Sequence, residues 1–190
     1  MHDGEVIQEL ASSKWEESDP QSITSWYNEA VIDKSPDTNN GRQMRRVTRL
    51  GKYFMNSRSS WNMPSGFIFS VLVDELYVKT LDRDDESLYQ TLKAIRDRLS
   101  WNKNVYNPVS GSLISEGKEA QLTKLYDELD FHLKNTLNVL EDSSCSQAEA
   151  LKAWSKFFKD DFFKDKIVRV ATVADDEYEI KETQKPWLKS

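Results

Sequence analysis

The chain has 190 residues, 31% charged and 38% hydrophobic, with a formal net charge of −6. That composition fits one soluble globular domain with a fair-sized core, and its acid surplus argues against nucleic-acid binding through overall charge. A single cysteine, Cys145, excludes an internal disulfide, and two distant histidines, His2 and His132, give no zinc spacing, which together point to a reducing, cytoplasmic setting. No apolar run approaches the roughly 18 residues of a membrane span, and the N-terminus carries no apolar signal core. With six glycines and five prolines in the whole chain, long helices are expected, and the fold class reads as an all-α multi-helix bundle.

In chain order, SDPQSITSWYNEAVI offers Ser18 or Asp19 as an N-cap with Pro20 at the first helical position, then Ile23, Trp26, Tyr27 and Ala30 at helical spacing. KSPDTNNG breaks the chain. A second helix, about Asn40 to Ser57, carries Met44, Val47, Gly51 and Phe54 on one side and basic residues on the next stripe. After SSWNMPS, the segment GFIFSVLVDELYVKTL reads as the most buried helix, and Asp84 to Leu99 as a fourth, with Leu88, Leu92, Ile95 and Leu99 in register. VYNPVSGSLIS, residues 105 to 115, reads as an extended connection. A long fifth helix, about Lys118 to Leu140, holds Leu122, Leu125, Leu129, Leu133, Leu137 and Leu140 on one stripe. Ser146 then opens SQAE, a capping-box pattern, before Leu151, Trp154, Phe157 and Phe158. IVRVATV at 167 to 173 is strand-like, and the remaining residues are polar and charged, so an extended, flexible tail is expected there. Trp15, Trp26, Trp61, Trp101 and Trp154 read as core or rim anchors. Cys145 is expected in a polar loop without a base to activate it, and His132 at a surface or interhelix position.

The charge is segregated. Thr38 to Val73 contains no Asp or Glu and six basic residues, Arg42, Arg45, Arg46, Arg49, Lys52 and Arg58, so the other 154 residues sum to −12. Arg42, Arg45, Arg49 and Lys52 are spaced three, four and three apart and would share one helix face, with Arg46 beside them. Two readings stand. The face is solvated, or paired with acids such as the Asp84–Asp85 region. Alternatively it is a polyanion groove, because like charges at this spacing cost about 0.2–0.5 kcal/mol a pair and a bound phosphate reverses the sign. From Arg45 to Lys52 is about 10 Å of helix, the length of a triphosphate or a few nucleotides.

RRVTRLGKYF followed by MPSGFIFSVLVDELY, with WEESDPQSITSWYNEA before them and VYNPVSGSLIS and ALKAWSKFFKDDFF after, carries a resemblance in order and spacing. Over about residues 10 to 163 the chain resembles the helical C-terminal lobe of bacterial nucleotidyltransferases related to cyclic GMP-AMP synthase and oligoadenylate synthase. The resemblance implies a division into a lead-in from a missing palm (1–14), a helical lobe (15–165) and an extended tail (166–190). Members of that family join a β-sheet palm that holds Mg²⁺ to such a lobe and link nucleoside triphosphates into cyclic or short oligonucleotide messengers, many in antiviral, antiphage defence. In their pattern a lysine of the basic helix and a serine opening the next helix touch the triphosphate, which here are Lys52 and Ser65, with Arg49 and Arg45 further along the same face. An ammonium neutralises phosphate charge, and a hydroxyl at a helix N-terminus sits where free N–H groups attract anions. Ser65 is equally a plain N-cap after Pro64. Relatives often place an aromatic directly after the serine, whereas here Gly66 stands there and Phe67 follows.

The two-metal chemistry of that family needs carboxylates converging on Mg²⁺, supplied as a Gly-Ser turn and an Asp-x-Asp strand in the palm. Here Asp82 and Asp84 spell D-x-D and Gly111-Ser112 spells GS, but in reverse order and between helices, and both are read as chance. Asp160–Asp161 and Asp175–Asp176 are read as solvated. The expectation is therefore no catalytic and no metal-binding residue in this chain, which would bind a nucleoside triphosphate such as ATP and meet its palm in cis or trans as part of a truncated, fragmentary or split enzyme. The alternative is a non-enzymatic helical module whose basic face binds nucleic acid or an acidic partner.

Overall fold

The computed structural model describes residues 9–10, 16–17, 19–35, 37–38, 41–58, 62–163 and 166–167. Trp15, Trp61, the IVRVATV segment beyond Ile167 and the expected tail lie outside the described residues. The architecture is an all-α bundle with, among the described residues, six named α-helices: α1 (Pro20–Lys34), α2 (Gln43–Asn56), α3 (Gly66–Leu76), α4 (Asp84–Trp101), α5 (Glu119–Asn135) and α6 (Gln147–Phe158). Short 3-10 turns follow α5 and α6, at Asn138–Glu141 and Asp161–Phe163, and two two-residue strands, β1 (Glu9–Leu10) and β2 (Glu16–Glu17), pair antiparallel ahead of α1. None of the described helices is long and apolar enough to cross a membrane.

Local chemistry sets several helix ends. Asp19 caps α1 by accepting from the Ser22 N–H at 2.9 Å, with Pro20 in the first position, where its missing N–H costs nothing. Ser146 and Glu149 form a reciprocal capping box that opens α6. Two ends differ from expectation. α3 stops at Leu76 instead of running on to Leu81, because distant side chains capture the backbone that follows: Val78 N–H donates to Thr91 Oγ1 (3.1 Å) and Thr80 N–H to Gln43 Oε1 (3.1 Å). α5 stops at Asn135 instead of Leu140. There Asn135 Nδ2 bonds the Phe131 carbonyl and Thr136 Oγ1 bonds His132 Nδ1, side-chain alternatives that compete with helix continuation. Leu137 and Leu140 still reach the core, from the 3-10 turn. Residues 105–115 form a small hairpin-like turn, with Tyr106 bridging Leu113 and Gly111 at φ +72°.

α2 sits among α1, α3, α4 and α6, and α4 lies along α5. Its Met44, Val47, Phe54 and Met55 are buried, and the Phe54 ring stacks on Phe157 of α6 with centroids 4.2 Å apart. Each such fully buried phenylalanine contributes about 2–3 kcal/mol of hydrophobic stabilisation. Trp101, expected as a core or rim anchor, is 73% exposed at the end of α4, with Arg98 over its ring; it falls two residues past the last buried leucine, Leu99, on the outward side of α4. Cys145 lies in the loop expected for it, and its side chain is buried at 2% exposure.

Gly51 marks a close approach of α2 to α3. A Cβ there would stand 2.2 Å from Phe69 Cζ of α3, and Phe69 is itself buried. Gly51→Ala is expected to lower the unfolding free energy by about 1–3 kcal/mol through overpacking, measurable by urea denaturation. An unchanged midpoint would show that Phe69 has room to move.

Candidate functional site

The six basic residues of the acid-free stretch divide by helix position. Arg42, the N-cap of α2, turns back onto the end of α1, where its guanidinium donates to the Ile32 and Ser35 carbonyls. Arg46 faces α4. Its Nε and Nη2 donate to the two Asp84 oxygens at 2.5 and 2.9 Å, a bidentate clamp completed by Gln43 Nε2 to Asp84 Oδ1 at 3.1 Å. Burial raises the Asp84 pKa, but the hydrogen bonds from Arg46 and Gln43 and the Arg46 charge outweigh it and hold the carboxyl below its ordinary value. Arg58 is buried, stacked 4.2 Å over the Phe54 ring and bonded to Glu128 (3.5 Å) and His132 Nε2 (2.6 Å). The pairing with the Asp84 region thus accounts for Arg46 alone.

Arg45, Arg49 and Lys52 differ from these. Spaced four and three apart, they form a ridge along α2, and among the described residues no carboxylate lies within ion-pair distance of any of them. Arg45 Nη2 donates to Asn28 Oδ1 at 3.0 Å, a neutral partner that positions the guanidinium without discharging it. Arg49 is exposed. Lys52 is half-buried, and burial alone pushes its ammonium below the usual lysine pKa.

The end of the Lys52 side chain rests on the start of α3. A Cβ built on Gly66 would lie 3.3 Å from Lys52 Cε and 3.7 Å from Nζ, so the end of the lysine packs directly on this glycine and a side chain there would displace it slightly. Ser65 caps that helix: its Oγ accepts from the Ile68 N–H at 3.3 Å, which leaves its own O–H free to donate. The Gly66 and Phe67 N–H groups, first in the helix, have no acceptor among the described residues. Lys52 therefore lies beside Gly66, the residue after Ser65, and Arg49 and Arg45 continue the line along α2.

α1 supplies the flank: Trp26, read from the sequence as a core or rim anchor, and Tyr27 are partly buried against the core. Trp26 meets Phe67 edge-on at 6.3 Å between centroids, walling the start of α3. The buried Tyr27 hydroxyl lies beside Thr48, whose own hydroxyl is turned to the Met44 carbonyl (2.8 Å), so Tyr27 Oη has no well-formed hydrogen bond. Burial raises the Tyr27 pKa, and Thr48 and the charges of Arg45 and Arg49 oppose the rise. The helical spacing of Trp26 and Tyr27 read as an apolar stripe, and nothing in one sequence distinguishes a core aromatic from one that borders a charged face.

No three His, Cys, Asp or Glu side chains are grouped to hold a metal ion among the described residues. Asp84 is committed to Arg46, and Asp82 sits at φ +54° in the turn before α4, so the D-x-D spelling forms no cation site. Lys52, Arg49 and Arg45 are donors only toward a ligand, and with the Ser65 O–H beside them the set suits an anion better than a cation. Compared with models of known protein families and with curated proteins, the chain matches none.

Proposed function

We propose that this chain is the helical half of a nucleotidyltransferase that makes cyclic or short oligonucleotide messengers in antiphage defence, and that its part is to hold the triphosphate of a nucleotide such as ATP. The observation that carries the phosphate-binding part is the position of Lys52. A half-buried ammonium without a carboxylate partner among the described residues leans on the N-terminus of α3, itself the positive end of a helix dipole. Two positive elements held together repel each other, and an anion between them turns that cost into attraction. Ser65 O–H and the Gly66 and Phe67 N–H groups converge there as uncharged donors, as they do where helix N-termini receive phosphate.

The length of the ridge favours a compact polyphosphate over nucleic acid. With Arg42, Arg46 and Arg58 engaged inside the protein, three cations over about 10 Å remain. A duplex or long strand is gripped by charge spread over many phosphates. The assignment to a nucleotidyltransferase rests on the resemblance of residues 10 to 163 in motif order, and the Mg²⁺-binding carboxylates would come from a palm in the same or another polypeptide, since Lys52, Ser65, Arg49 and Arg45 include no carboxylate.

Calorimetric titration with ATP, AMP and inorganic tripolyphosphate tests the reading. Affinity is expected to rise with phosphate count, with tripolyphosphate close to ATP, and to weaken with salt. Equal binding of ATP and AMP, or none of any, would refute it. Adding purified palm domains from candidate enzymes, with Mg²⁺ and ATP, then tests for oligonucleotide synthesis that neither half performs alone.

A further inference from the structure

Among the described residues, Lys52 carries an amine that nothing helps to stay protonated. The other partly buried lysines there each have a partner: Lys93 pairs with Glu141 at 2.8 Å and Lys124 with Glu128 at 2.7 Å, Lys118 Nζ donates to the Ile114 carbonyl at 2.9 Å, and Lys103 lies over the Tyr126 ring. Lys52 makes no hydrogen bond, ion pair or ring contact among the described residues, and the end of its side chain packs on Gly66. Desolvation without a partner disfavours the ammonium, so the neutral amine, which is the nucleophilic form, is more populated than on an exposed lysine. The surroundings also favour a negative charge. The sequence holds no acid from Thr38 to Val73, Arg49 stands one turn back on the same face of α2, and the Gly66 and Phe67 N–H groups open α3 beside the amine.

We propose that Lys52 takes up carbon dioxide as a reversible carbamate, and that the carbamate closes the ridge to polyphosphate. In the step the Nζ lone pair attacks the carbon, an N–C bond forms, one C=O π pair moves onto oxygen, and an Nζ proton passes to solvent; no leaving group or oxidant is involved. Both ends of the reaction gain from the same environment, because the ammonium is disfavoured at the start and the anion formed at the end meets Arg49 and the N–H donors of α3. Carbon dioxide is small and uncharged, so it reaches an amine packed against backbone where a bulkier acyl donor also has to place a leaving group. The carbamate itself needs only the unpartnered amine. Its effect on nucleotides rests on the reading of the ridge as a polyphosphate site, where a side chain that changes from cation to anion replaces attraction by repulsion.

The test incubates the full chain with isotope-labelled bicarbonate, which supplies dissolved carbon dioxide, fixes the carbamate by O-ethylation with triethyloxonium, and locates the label by peptide mass spectrometry. Lys52 is expected to be the labelled lysine, with the exposed Lys152 and Lys156 of α6 unlabelled. In parallel, tripolyphosphate affinity is expected to fall about three- to tenfold in bicarbonate against chloride of equal ionic strength, and to hold in Lys52→Arg, whose guanidinium stays charged. Label at Lys52 in a chain that binds no tripolyphosphate would support the carbamate and sink the polyphosphate reading. Label at Lys52 with tripolyphosphate bound equally well in bicarbonate and chloride would overturn the closure of the ridge. No label at Lys52, or equal label on Lys152 and Lys156, would overturn the carbamate and leave the polyphosphate reading to its own titration.

Discussion

Replacing Lys52 and Arg49 together by alanine is expected to weaken ATP binding by about tenfold to a hundredfold, as befits the loss of two charge-assisted contacts worth about 1.5–3 kcal/mol each before solvent screening. Neither residue makes an ion pair among the described residues, so the unfolding free energy should hold within about 0.5 kcal/mol or rise slightly as repulsion along the helix is relieved. Arg46→Ala is the internal control. It breaks the bidentate clamp on Asp84, costs about 1–2 kcal/mol of stability once the partial exposure of that pair is allowed for, and should leave ATP affinity almost unchanged. Calorimetry and chemical denaturation on the same samples separate the two halves of the basic helix. Equal loss of ATP affinity from both substitutions would mean that only diffuse charge is at work.

Acid should destabilise the protein in a window that carboxylates do not explain. His132 of α5 is 8% exposed, edge-on to Phe54, Phe131 and Phe157, with Nε2 against the Arg58 guanidinium and Nδ1 against Thr136 Oγ1. Burial first, and then the Arg58 charge, lower its pKa from 6.5 to about 4, with Glu128 opposing and distant Lys159 adding slightly. A histidine depressed in the fold is protonated more readily when unfolded. Its contribution is therefore complete above about pH 6.5 and is lost as pH falls toward 4. At about 1.36 kcal/mol per pKa unit the loss is about 2 kcal/mol by pH 5 and about 3 by pH 4. Asp84, Glu128 and Glu141, whose pKa values are lowered, act only below their ordinary range near 4. Denaturation midpoints between pH 7.5 and 5 should fall steeply in the parent chain and far less in His132→Gln. The same slope in both would contradict the assignment.

Much of the architecture can be read before any coordinate is seen, because it is written in local chemistry. Asp19 with Pro20, and Ser146 with Glu149, each fix a helix start within four residues of sequence. What stays hidden depends on partners far along the chain. α3 ends where it does because Gln43 and Thr91 hold the following backbone, and no window of neighbouring residues contains either. The basic helix shows the same division. Its spacing puts Arg42, Arg45, Arg49 and Lys52 on one face, yet Arg42 is a cap turned to the carbonyls of α1, and the free ridge has three members. That Lys52 lies against the start of α3 follows from Gly51, which lets α2 and α3 approach, and from Gly66, which leaves space for the lysine. Trp26 and Tyr27 were legible as helical and not as site residues, since an apolar stripe and an aromatic flank have the same period.

The account turns on one claim: that Arg45, Arg49 and Lys52, together with the first turn of α3, form a seat for a polyphosphate. Amide resonances followed by two-dimensional NMR during a tripolyphosphate titration test it most directly. The largest shifts are predicted at the Gly66 and Phe67 N–H groups, with further shifts along residues 45–52 that saturate together at one dissociation constant. Shifts scattered over lysines of α5 and α6, with Gly66 and Phe67 unmoved, would contradict it.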